Sequence, residues 1–331
     1  MQQGMLSSLL LSSLLLLSVP NVAASEMEVQ QVDQWLQAPQ VQGKVGELFQ
    51  LAIEDDVDGL NFALQRLSLP FQEATRFLLL KKIEEHNLVL TSKMALFIEQ
   101  QKAMVPTYQV LERGDGYEFS VPAFDYPAIA NRLLKQWRQD QSTLHFLLAA
   151  ERQDLVLKQW LSGSDYQVQT REALLIRELD SLSPGAVSYL TQQLTEEAVT
   201  SWLPSSSVMV RLAHVSSDPG VYKLLWLMKA DFQSEQELIR LAQVGDAFSL
   251  SQVIAAAHNP SLKQLAISEL AKVRPMTEPV KEFLISKMSL SEDARFIAGE
   301  LVSHGHRSWL QELVNSNPSV NRGAINSVIG Q

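Results

Sequence analysis

The sequence predicts an all-α protein in which antiparallel helix pairs stack into an α-solenoid, with one small β-hairpin inserted between them. First, apolar residues recur at spacings of three and four through most of residues 28–330, which indicates helices. Second, short breaks such as Ser183-Pro184-Gly185 separate these periodic segments. Third, the segment that begins at Asn259 recurs 58 residues later, at Asn317. Helices of this kind joined by short turns are typical of stacked helix hairpins.

Residues 1–24 are predicted to be a signal peptide. An uncharged apolar run, Met5 to Val19, is followed by the small residues that precede a signal-peptidase cut, which predicts cleavage after Ala24 or Ser25. The run is shorter than the roughly 20 residues of an ordinary membrane span. Because residues 1–5 contain no Lys or Arg, an uncleaved N-terminal anchor is the alternative. We expect a periplasmic or secreted mature chain with no stable membrane span.

Residues 25–102 are predicted to form N-terminal helical repeats. The clearest helix in them runs from Pro70 to Glu85, and Pro70 suits the first turn. Its apolar residues are expected on one side, and they are Phe71, Ala74, Phe77, Leu78 and Leu80.

Residues 103–126 interrupt the helical pattern and are predicted to form a β-hairpin. Apolar and aromatic residues alternate on both sides of the turn Arg113-Gly114-Asp115-Gly116, and Pro106 and Pro122 bound the segment. The hairpin is either a protruding recognition element or a connection packed against the helices. As a recognition element it would present Tyr108, Arg113, Tyr117 and Phe119 to a partner, since aromatic residues and Arg dominate interface energetics.

Residues 127–204 and 205–331 are predicted to form middle and C-terminal helical repeats. Asn259-Pro260-Ser261 and Asn317-Pro318-Ser319 start two copies of one pattern, and each copy carries a central Ala, Ala266 or Ala324. A third copy begins at Ser291. The pattern combines a polar turn, an apolar stripe and a small residue where helices approach closely. A period of about 30–45 residues is typical of a solenoid.

These units resemble HEAT repeats, in particular the short bacterial HEAT-like type. The resemblance is good over residues 205–330 and loose over 28–204. It implies a curved helix stack that works as a binding surface, scaffold or assembly factor, and it carries no catalytic residues. A tetratricopeptide array is the structural alternative, ranked second because its aromatic and Gly pattern does not recur at 34 residues.

Composition excludes several classes of function. A formal net charge of -10 and the lack of a basic cluster argue against nucleic-acid binding. The absence of cysteine excludes disulfides, Cys-ligated metal sites and a thiol nucleophile. No nucleophile, zinc-protease, P-loop or dinucleotide-binding motif is present. We therefore expect no cofactor and no enzymatic activity.

Three weaker patterns have both a functional and a structural interpretation. His304-Gly305-His306 offers two imidazoles to a metal, but it suits the end of a helix better. The acidic run from Glu54 to Gly59 has its Gly misplaced for a calcium loop, so helix capping by Asp is favoured. The six tryptophans are expected mainly in the core rather than in a ligand cage, and they are Trp35, Trp137, Trp160, Trp202, Trp226 and Trp309.

Together these patterns favour an exported, non-catalytic scaffold or assembly factor that binds a protein or peptide. The first alternative is an envelope enzyme, such as a cell-wall hydrolase with a superhelical shell. That enzyme would need an acidic catalytic residue in a compact domain, and no segment outside the repeats is long enough for one. The second alternative is a purely structural or oligomeric element. The sequence specifies neither the partner nor the oligomeric state.

Overall fold

The computed structural model describes residues 25–114, 117–196 and 202–330. Within them the chain is predominantly α-helical, with eighteen α-helices and one small three-stranded sheet, which confirms the predicted helical class. The predicted leader, residues 1–24, lies outside the described residues. Helix packing divides the chain into two compact units, Met1–Gln141 and Ser142–Gln331. The finer division predicted from the sequence stays a prediction.

Among its described residues the first unit contains six helices and three strands. The last of these helices continues into the second unit. The helices are α1 Val29–Gln37, α2 Pro39–Ile53, α3 Val57–Gln65, α4 Phe71–Glu85, α5 Ser92–Ala103 and α6 Tyr126–Glu151. The strands are β1 Ser25–Glu26, β2 Tyr108–Gly114 and β3 Tyr117–Pro122.

The second unit continues with short helices. They are α7 Leu157–Trp160, α8 Asp165–Glu178, α9 Pro184–Thr195, α10 Ser206–Ser216, α11 Pro219–Leu227, α12 Phe232–Val244, α13 Ala247–Ala256, α14 Lys263–Lys272, α15 Glu278–Lys287, α16 Ser291–Ser303, α17 Arg307–Ser316 and α18 Arg322–Ile329. One 3-10 turn, Leu179–Ser181, follows α8.

The predicted hairpin is present, and it belongs to a sheet with one more strand than expected. β2 pairs antiparallel with β3, and β1 adds to the other edge of β2 in parallel register, with Ser25 opposite Tyr108. The backbone N–H of Ser25 donates to the carbonyl of Thr107 at 3.0 Å, and that of Met27 donates to Gln109 at 2.8 Å. A two-residue strand has no periodicity of its own, so sequence patterning could not reveal β1.

Each unit has its own cluster of buried apolar side chains. In the first unit the cluster is centred on α2 and α4, which pack against each other and against α1 and α3. The sheet contributes Val110 to it, and the loop after β3 contributes Phe124. In the second unit the cluster extends from Phe146 to Ile325 through every helix pair.

Helices of the second unit pack in two rows. α8, α10, α12, α14, α16 and α18 follow one another in one row, and α9, α11, α13 and α15 do so in the other. Helices also pack between rows, as α10 does on α11 and α12 on α13. Each helix therefore contacts mainly its neighbours in sequence and the next but one, which is compatible with an α-solenoid.

The predicted breaks coincide with helix starts that have a physical cause. Ser183 caps α9 by accepting a hydrogen bond from Ala186 N–H at 3.2 Å, and Asp218 caps α11. Both helices carry Pro in the first turn, where the absent N–H costs nothing. Asn259 and Asn317 form the same turn, in which the side-chain oxygen accepts the N–H two residues on, at 3.0 and 2.9 Å.

The buried face of α4 differs from the expected one. Ala74 and Leu80 are buried as predicted, whereas Phe71, Phe77 and Leu78 are only half-buried. The buried residues of α4 include three polar ones, Glu73, Thr75 and Arg76. The reason is that α4 packs against α1, α2 and α3 together, so more than one of its sides is covered.

Candidate functional site

The hairpin presents one face that is buried at its base and exposed towards its turn. Val110 lies opposite Val121, and Glu112 lies opposite Phe119, so these side chains and that of Tyr117 share a face. At the base, Val110 is buried and Val121 is half-buried against the first cluster. Farther along, Phe119 is 49% exposed and Tyr117 is 77% exposed. Apart from Glu112 this face is apolar, and two aromatic side chains lie uncovered on it.

A buried carboxylate holds the start of the hairpin. Glu73 of α4 is only 3% exposed, and its two oxygens accept the backbone N–H groups of Thr107 at 2.7 Å and Tyr108 at 3.3 Å. Hydrogen bonds to an ionised acceptor are about twice as strong as neutral ones. Glu73 therefore fixes the entry of β2 onto the helices.

A second buried polar residue ties α4 to α5 beneath the hairpin. Arg76 Nη1 donates to Gln101 Oε1 and contacts Met104 Sδ at 3.1 Å, while Gln101 Nε2 donates to the carbonyl of Phe97 at 3.2 Å. Burial lowers the pKa of Arg76, and the nearby Tyr126 and Glu73 oppose that shift. Polar contacts as well as apolar ones therefore join α4 to α5.

The four residues predicted to contact a partner fall into different environments. Tyr117 and Phe119 are exposed and share a face, as a docking element requires. Tyr108 is half-buried and packs against the first cluster, so it belongs to the base. The backbone of Arg113 pairs with Glu118 in the sheet, and its side chain lies outside the described residues, as does the turn 115–116.

Sequence reasoning missed the residues that anchor the hairpin. Glu73 and Arg76 carry ionisable side chains, which normally indicate the solvated face of a helix. Glu73 is bonded to the segment that enters β2 and Arg76 to α5, so no pattern local to α4 identifies them. Leu111, which is 40% exposed on the opposite face of the hairpin, was also not predicted.

A buried ionisable cluster in the second unit is fully hydrogen-bonded. Tyr222 Oη donates to Glu237 Oε1 at 2.6 Å, and Arg240 donates to both carboxylate oxygens at 2.7 and 2.6 Å. Burial and the bond to Glu237 raise the pKa of Tyr222. With both carboxylate oxygens engaged, the cluster joins α11 to α12 and offers no free base.

The two histidines His304 and His306 serve the backbone between α16 and α17. His304 ends α16, Gly305 has a φ of 82° and His306 begins α17, which confirms the predicted helix end. His306 Nε2 lies 3.1 Å from the carbonyl of Ala271. Within the described ranges, no three His, Asp or Glu side chains converge as a metal site would require.

The acidic run between α2 and α3 also has the predicted structural role. Asp56 caps α3 by accepting a hydrogen bond from Gly59 N–H at 2.9 Å. Asp55, with a φ of 57°, accepts a hydrogen bond from Thr91 Oγ1 at 2.6 Å. All six tryptophans pack in or against the two apolar clusters, as predicted.

No helix in the described part of the chain combines the length and the apolar character needed to cross a membrane. Comparisons with known protein families, with curated proteins and with solved structures found no significant match.

Proposed function

We propose that this protein is an exported, non-catalytic scaffold or assembly factor that binds a protein or peptide partner, with the hairpin tip as a docking element. The observation that supports this proposal is the exposure of Tyr117 and Phe119 on one face of a hairpin whose base is held by Glu73. Aromatic side chains that stay exposed on a fixed support lose little conformational entropy on binding, which is why they dominate interfaces.

We further propose that the helices form an α-solenoid of short HEAT-like repeats. Support comes from the two rows of the second unit, in which the pairs α13–α14, α15–α16 and α17–α18 begin at Ala247, Glu278 and Arg307. The spacing is about 30 residues, within the range of helical repeat units. Such stacks present extended surfaces, which suits the binding of a protein or a peptide.

The docking role is tested by the double substitution Tyr117→Ala with Phe119→Ala. Because both side chains are exposed, we expect the free energy of unfolding to change by no more than about 0.5 kcal/mol. Proteins that co-purify with the wild-type mature chain from an envelope fraction should be lost. A matched control is Phe62→Ala with Leu96→Ala, two residues of the same unit that are 62% and 67% exposed.

Two results would count against docking by the hairpin. If the same proteins co-purify with the hairpin variant and with the control variant, the partner binds elsewhere on the helices. If the hairpin variant loses stability in proportion to binding, the hairpin is a packed connection. Glu73→Ala removes the carboxylate that holds the hairpin base. Its loss of stability is the value against which the loss in the hairpin variant is compared.

Export is tested by the N-terminus of the mature protein. Ser25 begins β1, and its backbone N–H bonds to Thr107, so cleavage after Ala24 would leave the whole strand on the mature chain. We therefore expect mass spectrometry of the mature protein to find Ser25 first, in preference to Glu26. An intact Met1 on a chain in the membrane fraction would contradict export with cleavage.

A further inference from the structure

A cleft of about 630 Å³ lies in the second unit between α11 and the turn that follows α13. Its walls are largely apolar and include Pro219, Leu227, Ala255 and Pro260. Leu227 is 75% exposed, so it adds uncovered apolar surface to the cleft. The volume falls in the range of small-ligand sites, so it suits a few residues of peptide and not a folded domain.

Two nearly buried side chains with N–H groups also line the cleft. Trp226 is 4% exposed and Gln252 is 8% exposed. Trp226 Nε1 has no hydrogen-bond partner, and Gln252 Nε2 makes only a long bond of 3.4 Å to Ser251 Oγ. Because Trp226 Nε1 is enclosed by the protein itself, the weakly bonded amide of Gln252 is the donor that favours a ligand with carbonyl or carboxylate oxygens.

Two lysines lie on the rim with no ion pair among the described residues. Lys223 and Lys229 are exposed, although the chain as a whole carries a net charge of -10. The acidic residues nearest in sequence are already engaged, since Asp218 caps α11 and Asp231 caps α12. The cleft therefore has two cationic side chains at its rim that form no ion pair among the described residues.

A histidine completes the rim. His258 Nδ1 lies 3.1 Å from the carbonyl of Ala255, an arrangement in which Nδ1 donates and the ring is held in one orientation. Its Nε2 has no partner in the described part of the chain. The cleft thus combines apolar walls, one weakly bonded amide donor and three nitrogen-bearing side chains at its edge.

We infer that this cleft binds the free carboxyl terminus of an apolar peptide. The terminal carboxylate would lie between Lys223 and Lys229, and a backbone carbonyl of the peptide would accept from Gln252. The last side chain would cover the apolar wall around Leu227. A phosphate or a sugar acid would satisfy the lysines, but it has too few apolar atoms to cover these walls.

This inference shares with the proposed function only the premise of a protein or peptide partner. The cleft lies in the second unit and the hairpin in the first, so each can be removed while the other stays intact. The variant Tyr117→Ala with Phe119→Ala should therefore keep full peptide binding at the cleft. A failure of hairpin docking would leave this result unchanged.

The experiment uses the immobilised mature chain and a pool of synthetic hexapeptides randomised at their last three positions. Half of the pool carries a free carboxyl terminus and half a terminal amide. We expect the wild-type chain to retain free-acid peptides with apolar last residues, and Lys223→Gln with Lys229→Gln to weaken their binding by about tenfold or more. The matched control is Lys93→Gln with Lys135→Gln, two exposed lysines of the first unit that should leave binding unchanged.

Three results would overturn the inference. They are equal retention of acids and amides, equal binding by the cleft variant and the control variant, and failure to retain any free-acid peptide with an apolar end. A second variant, Ala255→Phe, should fill the cleft and abolish retention without a change of charge. Far-UV circular dichroism of each variant verifies that the helices are intact, so a loss of binding reports on the cleft.

Discussion

Tyr126 shows how a single buried group can set the response of the protein to alkali. It begins α6, is 2% exposed, and lies close enough to Glu73 and Arg76 for their charges to act on it. Burial raises the pKa of Tyr126 to about 12; the charge of Glu73 adds to the rise and that of Arg76 opposes it. The protonated phenol is therefore the form that the folded state requires.

The raised pKa predicts a loss of stability between about pH 10 and pH 12. Below pH 10 the phenol is protonated in both states, so the stabilisation is fully present; as the pH rises, the unfolded chain ionises first and the folded state loses on the order of 2 kcal/mol. Over this interval the free energy of unfolding of Tyr126→Phe should fall less than that of the wild type. At pH 8 the two proteins should be equally stable. Urea unfolding at both pH values measures the difference, and Tyr166→Phe, at a residue that is 79% exposed, is the control. Equal pH profiles for wild type and Tyr126→Phe would contradict it.

Residue patterns predicted the apolar core better than the polar residues inside it. The periodicity around Pro70 correctly indicated a helix. Glu73 and Arg76 were not expected among its buried residues, because spacing patterns place charged residues on the solvent-exposed side of a helix. Their partners, Thr107 and Gln101, come from other elements. Buried polar contacts of this kind depend on tertiary packing, which spacing along one helix does not encode.

At the scale of elements, turn chemistry was the most informative signal. Asn259 and Asn317 were predicted to start equivalent units, and both form the same hydrogen-bonded turn before α14 and α18. The hairpin was also predicted to within a residue or two, because its alternation and its Gly-containing turn are local. The third strand, β1, was missed since only its pairing with β2 makes it a strand.

The repeat register makes a prediction about Ala266 of α14. It is fully buried where α14 packs against α12, α13 and α16, so Ala266→Leu should overpack the contact and cost about 1–3 kcal/mol. Its counterpart Ala324 is half-buried, and Ala324→Leu should cost less. Urea unfolding measures both, with Gln264→Leu on the exposed side of α14 as the control. An Ala266→Leu variant as stable as the control would mean that the register is misassigned.

At the scale of the whole molecule, stability comes from two separate apolar clusters. One cluster contains Leu79 of α4 and the other contains Leu212 of α10, and both side chains are fully buried. Sequence periodicity predicted helices through most of residues 28–330, but it could not show where one core ends and the next begins. That boundary, between residues 141 and 142, falls inside α6, where the chain has no break in its helical pattern.

Because each unit has its own apolar core, we predict two unfolding transitions, each sensitive to substitutions in one core. Leu79→Ala and Leu212→Ala each remove the same buried atoms and should each cost about 2–5 kcal/mol, because a cavity adds to the lost burial. Since each leucine belongs to one cluster, Leu79→Ala should lower only the melting temperature of the first unit and Leu212→Ala only that of the second.

Differential scanning calorimetry should resolve two components in the wild-type chain, with a total enthalpy above the van't Hoff value of either. Hydrogen exchange assigns each component, because amides of α4 and of α10 report on different units. A single transition that both substitutions lower equally would show that the two cores unfold as one.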